Sequence, residues 1–167
     1  TDLSPVIQLG MTPILCDINL EDLSVDLNHL ETIFKETKPE VLLSVSVLGL
    51  VPKMGMIKKL CDKYNVILLE DTCESMGSKW SSKKLGTFGD LGCFSFYPSK
   101  NLGAFGEAGA IVTNNKKYYE YCKKYRNYDS IQRYKWDIIG GNERIDNIQG
   151  SILSTKLSPV VAAALKF

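Results

Sequence analysis

The chain has 167 residues, of which 44% are hydrophobic and 23% charged, the size and balance of one globular domain able to bury a core. Twenty Lys and Arg offset nineteen Asp and Glu for a formal net charge of +1, which gives no electrostatic case for nucleic acid or an anionic membrane surface. No apolar run approaches the ~20 residues needed to cross a bilayer, so a membrane protein is not expected, and no basic-then-apolar leader is visible.

Short apolar runs alternate with helix-patterned runs along the chain. Pro13-Ile14-Leu15-Cys16-Asp17-Ile18 reads as a strand. Asp26-Leu27-Asn28-His29 reads as a helix start, Leu27, Leu30, Ile33 and Phe34 repeat at helical spacing, and Pro39 closes the helix. Val41 to Val47 is a β-branched strand, and Met54, Ile57, Leu60, Cys61 and Tyr64 mark one face of the next helix. Val66-Ile67-Leu68-Leu69 is a strand that runs into Glu70-Asp71. Cys93 to Tyr97 is another, ending at Pro98, and Ala110 to Thr113 is the next, with Asn114-Asn115 as its exit turn. A helix follows with Tyr118, Cys122 and Tyr125 on one face, and the last helix begins near Asp146 and is interrupted at Pro159. This alternation predicts an α/β fold, a mixed and mostly parallel sheet with helices on both faces. Thr1 enters and Phe167 ends in mid-pattern, so the chain is expected to be part of a longer protein.

His29 is the single histidine, so a Ser-His-Asp triad or a zinc site with a His ligand would have to use it. At a helix start it reads as a plain solvent-facing residue, and no metal site is expected. Five cysteines, odd in number and without a CxxC pair, suit free thiols in a reducing cytoplasm. Cys16 and Cys93 lie in apolar runs and read as core.

Ligands of such sheets gather beyond the carboxyl ends of strands, where Asp71 and the Ser99-Lys100 pair stand. Asp71 alone reads equally as a helix cap or loop carboxylate, and Lys100 alone as a surface lysine. The glycine run from Asn101 to Gly109 is neither a dinucleotide fingerprint nor a phosphate loop. Together they suggest more. A desolvated lysine can form a Schiff base with an aldehyde, and a carboxylate on a neighbouring strand end can keep a pyridine nitrogen protonated. That pair is what pyridoxal 5'-phosphate requires. Small residues near Lys100 would let a flat cofactor approach the backbone.

The stretches Glu70-Asp71-Thr72-Cys73-Glu74-Ser75-Met76-Gly77-Ser78, Leu85-Gly86-Thr87-Phe88-Gly89-Asp90, Ser95 to Gly103 and Gly141-Asn142-Glu143-Arg144-Ile145 resemble the DegT/DnrJ/EryC1/StrS family of nucleotide-sugar aminotransferases, of the aspartate-aminotransferase fold. The resemblance spans nearly the whole chain. It implies that residues 1–167 are the central part of a pyridoxal-phosphate-binding large domain, without its N-terminal part and the C-terminal small domain. It implies Lys100 as the cofactor lysine and Asp71 as the partner of the ring nitrogen. Glu74 falls near the cofactor hydroxyl, Ser95 at its phosphate, and Asn142 at the phosphate of a partner subunit's cofactor. The implied protein is a cytoplasmic homodimer that aminates a nucleotide-linked keto-deoxysugar for surface polysaccharide or secondary metabolism, with Glu or Gln as donor. The alternatives are a deoxysugar dehydrase and a non-catalytic fragment of such an enzyme.

Departures bear on these alternatives. The family usually has Gln or His where this chain has Glu74, and a carboxylate beside a phenolate repels it. Asp71 to Ser78 is closer to the 3-dehydrase branch, but that branch replaces the lysine with His, and Lys100 argues against it. Ser46 stands where that branch has His, Val51 where the turn has Pro, and Ala108 where Gly is usual.

Overall fold

A computed structural model of the chain describes residues 2–129, 134–136 and 138–164, with side chains through residue 160. In chain order the elements are α1 (Leu3–Gln8), α2 (Leu27–Thr37), β1 (Val41–Val45), a 3-10 turn (Val47–Gly49), α3 (Met54–Tyr64), β2 (Ile67–Asp71), β3 (Lys79–Trp80), β4 (Lys83–Lys84), β5 (Leu91–Ser95), β6 (Gly109–Val112), α4 (Lys116–Tyr125) and α5 (Asn147–Ala164). The main sheet has the order β1-β2-β5-β6. β1, β2 and β5 are parallel, and β6 pairs antiparallel with β5. β3 and β4 form a separate small hairpin. The expected mixed, mostly parallel α/β architecture stands.

Local chemistry sets the helix limits. Asp26 accepts hydrogen bonds from the N–H groups of Asn28 and His29 and starts α2, which stops at left-handed Lys38 before Pro39. α3 ends at left-handed Asn65. Asn115 caps α4 by accepting from Lys117 and Tyr118. Leu30, Ile33 and Phe34 of α2 meet Met54, Ile57 and Cys61 of α3 over Val66 and Leu68. Ile57 and Leu68 are fully buried, and each such side chain stabilises the fold by about 1.5–3 kcal/mol. A second cluster, Leu102, Ala104 and Leu153, joins α5 to the segment after β5.

Three expectations are corrected. Pro13–Ile18 is not a strand. Its one ladder contact is an isolated bridge from Ile18 to Val25, and Ile14 and Leu15 are exposed. An extended apolar run becomes a strand only where a neighbour pairs along its backbone, and here the pairing is confined to the end of the run, at Asp17 and Ile18. β1 stops at Val45, because the chain enters the 3-10 turn, where Leu48 takes a left-handed conformation at φ 53°. α5 is not interrupted at Pro159 but carries it inside. Pro159 is exposed there, so the ring meets solvent and the helix gives up one backbone hydrogen bond without ending.

Candidate active site

The parallel pairing of β2 with β5 sets Asp71 opposite Cys93. β2 ends there, and β5 runs two residues further, to Ser95. Past Asp71, Thr72 donates to the Cys93 carbonyl from its N–H at 3.0 Å and from its hydroxyl at 2.6 Å. The Asp71 carboxylate accepts the Cys73 N–H at 2.9 Å, an Asx turn that bends the chain toward Glu74. Glu74 then points one oxygen at the Leu48 N–H, 2.9 Å away, and the other at Lys100 Nζ, 3.4 Å away.

Lys100 is placed by the turn after β5. Ser95 Oγ accepts the Tyr97 N–H at 3.2 Å, Lys100 N–H donates to the Tyr97 carbonyl at 2.9 Å, and Ala104 N–H donates to the Phe96 carbonyl at 2.8 Å. The small residues after Lys100 do not leave the open space expected of them. A Cβ on Gly103 would strike the Pro98 carbonyl, and Ala104 is buried, so both serve to close the turn tightly.

The electrostatics follow from these contacts. Burial, the largest influence on the Asp71 carboxyl, raises its pKa. The N–H and thiol of Cys73, a hydrogen bond with Asp2 and the charge of Lys100 outweigh it, and the net pKa is lowered. Asp2 moves the opposite way, raised by its hydrogen bond with Asp71 and then by burial. Glu74 is lowered by the Leu48 N–H and then by its bond to Lys100 and that residue's charge. Burial and then Asp71 push the Cys73 thiol up to about 12, which removes it as a nucleophile at neutral pH.

The strand ends thus assemble Lys100, Asp71 and Glu74, with Ser95 at the last position of β5. Asn142 makes its described contacts elsewhere. It bridges Asn127, and its side-chain oxygen accepts from Arg144 Nε at 3.0 Å on an exposed surface. His29 is outside the site. It is half-buried rather than plainly solvent-facing, and its Nδ1 accepts the Asp17 N–H at 3.1 Å. The five cysteines are free thiols, as expected, although Cys16 and Cys93 are half-buried rather than fully core. Among the described residues no cluster could hold a metal ion, and no helix is long and apolar enough to cross a membrane.

Sequence reasoning missed Glu70. Its carboxyl is buried and accepts three backbone N–H groups, from Gly86 at 2.7 Å and from Phe88 and Gly89 at 2.6 Å each. The signal was the two-residue alternation of β2, which puts Glu70 on the face of Leu68 and Asp71 on the other.

Residues 2–163 match the model of the DegT/DnrJ/EryC1/StrS aminotransferase family. Among curated relatives, the UDP-N-acetyl-3-dehydro-alpha-D-glucosamine 3-aminotransferase of Acidithiobacillus ferrooxidans is 32% identical over 94% of this chain and 42% of its own length. The dTDP-3-amino-3,6-dideoxy-alpha-D-galactopyranose transaminase of Aneurinibacillus thermoaerophilus is 38% identical over 89% of this chain and 41% of its own. The solved structure of the E. coli GDP-4-keto-6-deoxy-D-mannose-3-dehydratase with bound hydrated PLP superposes with a TM-score of 0.86 at 27% identity, covering 94% of this chain and 45% of that one. The chain therefore spans about two fifths of the length of the relatives it matches.

Proposed function

The chain belongs to the DegT/DnrJ/EryC1/StrS aminotransferase family, and on that premise we propose that it is the central part of the large domain of a pyridoxal-phosphate-dependent aminotransferase. The substrate class is a nucleotide-linked keto-deoxysugar, and the product is an amino sugar for surface polysaccharide or secondary metabolism. The supporting observation is the convergence of an amine and a carboxylate of lowered pKa on adjacent strand ends, with Lys100 acting on the charge of Asp71.

The residues present fit the cofactor. Asp71 is held anionic, as a partner for a protonated ring nitrogen must be. Lys100 is partly shielded, its side chain 25% exposed, and its contact with Glu74 is screened by solvent and easily exchanged. Bound pyridoxal phosphate supplies an electron sink for proton loss beside nitrogen. Lys100 Nζ is the amine that would hold it and the base that would carry a proton to and from the substrate carbon. Asp71 keeps the ring nitrogen protonated. Ser95 and, from a second copy of the chain, Asn142 take the phosphate. Glu74 would border the ring hydroxyl, favouring its neutral form, and would orient Lys100. The working protein is a cytoplasmic homodimer that takes its nitrogen from glutamate or glutamine.

The likeness to a dehydratase structure supports a second reading, removal of a sugar hydroxyl by the same cofactor. Lys100 weighs against it. Product analysis separates the two. The full-length protein, supplied with pyridoxal phosphate, donor and a panel of nucleotide-linked 4-keto and 3-keto deoxysugars, is expected to give a sugar that retains the donor's nitrogen. A product lacking both a hydroxyl and the nitrogen establishes the dehydrase instead.

A further inference from the structure

Glu70 stands where a carboxyl group is costly. It is 1% exposed, on the same face of β2 as the fully buried Leu68. A buried acid is tolerated when its oxygens are satisfied. Here both are, and without a cation: none of the described ion pairs involves Glu70. One oxygen accepts the Gly86 N–H, and the other accepts those of Phe88 and Gly89. The three donors come from a single loop between β4 and β5, which carries Leu85 and Phe88 into the core.

That loop lies flush on the strands. Gly86 has φ +82°, and a Cβ there would meet the Phe94 ring of β5. A Cβ on Gly89 would meet the Leu68 carbonyl of β2. From the loop's far end, Asp90 accepts the Leu68 N–H at 3.0 Å and donates its own N–H to the Leu68 carbonyl at 2.8 Å. The loop is thus fastened to β2 at Leu68 and at Glu70. The next residue after Glu70 is Asp71, and the strand that the loop enters is β5, whose exit turn carries Lys100.

We propose that Glu70 is a positioning residue for Asp71: its grip on the Gly86–Gly89 loop fixes the ends of β2 and β5 and so the place of the Asp71 carboxylate relative to the cofactor's ring nitrogen. The idea rests on the pyridoxal-phosphate reading above. The chemistry of the clasp requires a carboxyl group. Three N–H donors need two accepting oxygens, and glutamine offers one oxygen while setting its own NH2 against an N–H. A displaced group about 1 Å from its working position loses as much as ~100-fold in effect.

The test uses the full-length protein loaded with pyridoxal phosphate labelled with nitrogen-15 in the ring. Two readouts are taken at one neutral pH: the ring-nitrogen chemical shift, which reports its protonation, and borohydride labelling of Lys100. Wild type is expected to show a protonated ring nitrogen and a labelled lysine. Glu70→Gln should retain the label on Lys100 while its ring-nitrogen signal moves to the unprotonated position. Ile57→Val, which thins the α2–α3 packing of the same core but removes none of the three hydrogen bonds to Glu70, should lower thermal stability and leave the signal unmoved. If Glu70→Gln does not fold, Glu70→Asp keeps both oxygens but withdraws them by one methylene, and should give the same shift at smaller amplitude. A folded Glu70 variant with a wild-type nitrogen signal, or a shift equally present in Ile57→Val, overturns the positioning role. A wild type with no label on Lys100 overturns the cofactor reading itself, and the two failures are told apart by that label.

Discussion

Asp71 shows how a strand end prepares a side chain for chemistry. Burial alone would favour the neutral acid, but the Cys73 N–H, Asp2 and Lys100 together hold it as the anion. An asparagine could still accept the Cys73 N–H through its oxygen, so Asp71→Asn is expected to keep the fold. It cannot stabilise a protonated ring nitrogen as a carboxylate does. Turnover of the full-length enzyme should fall by about 100-fold or more, while the thermal midpoint changes little. Unchanged turnover would make Asp71 only a cap for the turn that follows. At this scale the sequence was legible where chemistry needs a residue at a strand end, which made Asp71 and Lys100 candidates before any coordinates. It was not legible for Glu70. Its partners are backbone N–H groups, which residue types do not advertise, and only the alternation along β2 puts it on the buried face.

Among the elements, α2 and α3 were legible because a full apolar face repeated at helical spacing, and α3 spans Met54–Tyr64 as its pattern indicates. Pro13–Ile18 misled because a short apolar run records burial potential and says nothing of a pairing partner. Pro159 misled because the rule against proline inside helices is an energy, ~3 kcal/mol, that the rest of a long helix can offset. The α2–α3 pair also carries a pH signature. Glu31 of α2 accepts from Lys63 Nζ at 2.7 Å and the Tyr64 hydroxyl at 2.9 Å on α3. The Lys63 bond first and the Tyr64 bond second lower its pKa to about 2. A depressed carboxyl stabilises the fold fully above its unfolded value of ~4.3 and loses that contribution as pH falls through the folded value. Glu31→Gln should therefore be less stable than wild type at neutral pH. Its deficit should shrink as pH falls from ~4.3 toward 2, a trend that unfolding midpoints measured along a pH series would show. A deficit constant with pH would mean the carboxylate charge is not what ties the helices.

For the whole molecule, the homodimer proposed above has a candidate contact surface. Tyr119, Tyr121 and Tyr125 of α4 are exposed, and Tyr128, Tyr134 and Trp136 continue the aromatic stretch beyond it. Residues 130–133 of that stretch lie outside the described residues. Exposed aromatics at this density suit an interface, and the segment leads to Asn142, whose described contacts are with Asn127 and Arg144. If Asn142 serves the partner's site, Lys100→Ala and Asn142→Ala proteins, each inactive, should regain partial activity when mixed, since some mixed dimers hold one intact site. Mixed dimers that form and stay inactive would refute shared sites.

Whether the site is built around Lys100 is read most directly by covalent labelling. The full-length protein is incubated with pyridoxal phosphate, reduced with borohydride, digested and mapped by mass spectrometry. One dominant pyridoxyl mark is expected, on Lys100, and its loss in Lys100→Ala. A mark on another lysine, or label scattered over the surface lysines with Lys100 no richer than the rest, would contradict it.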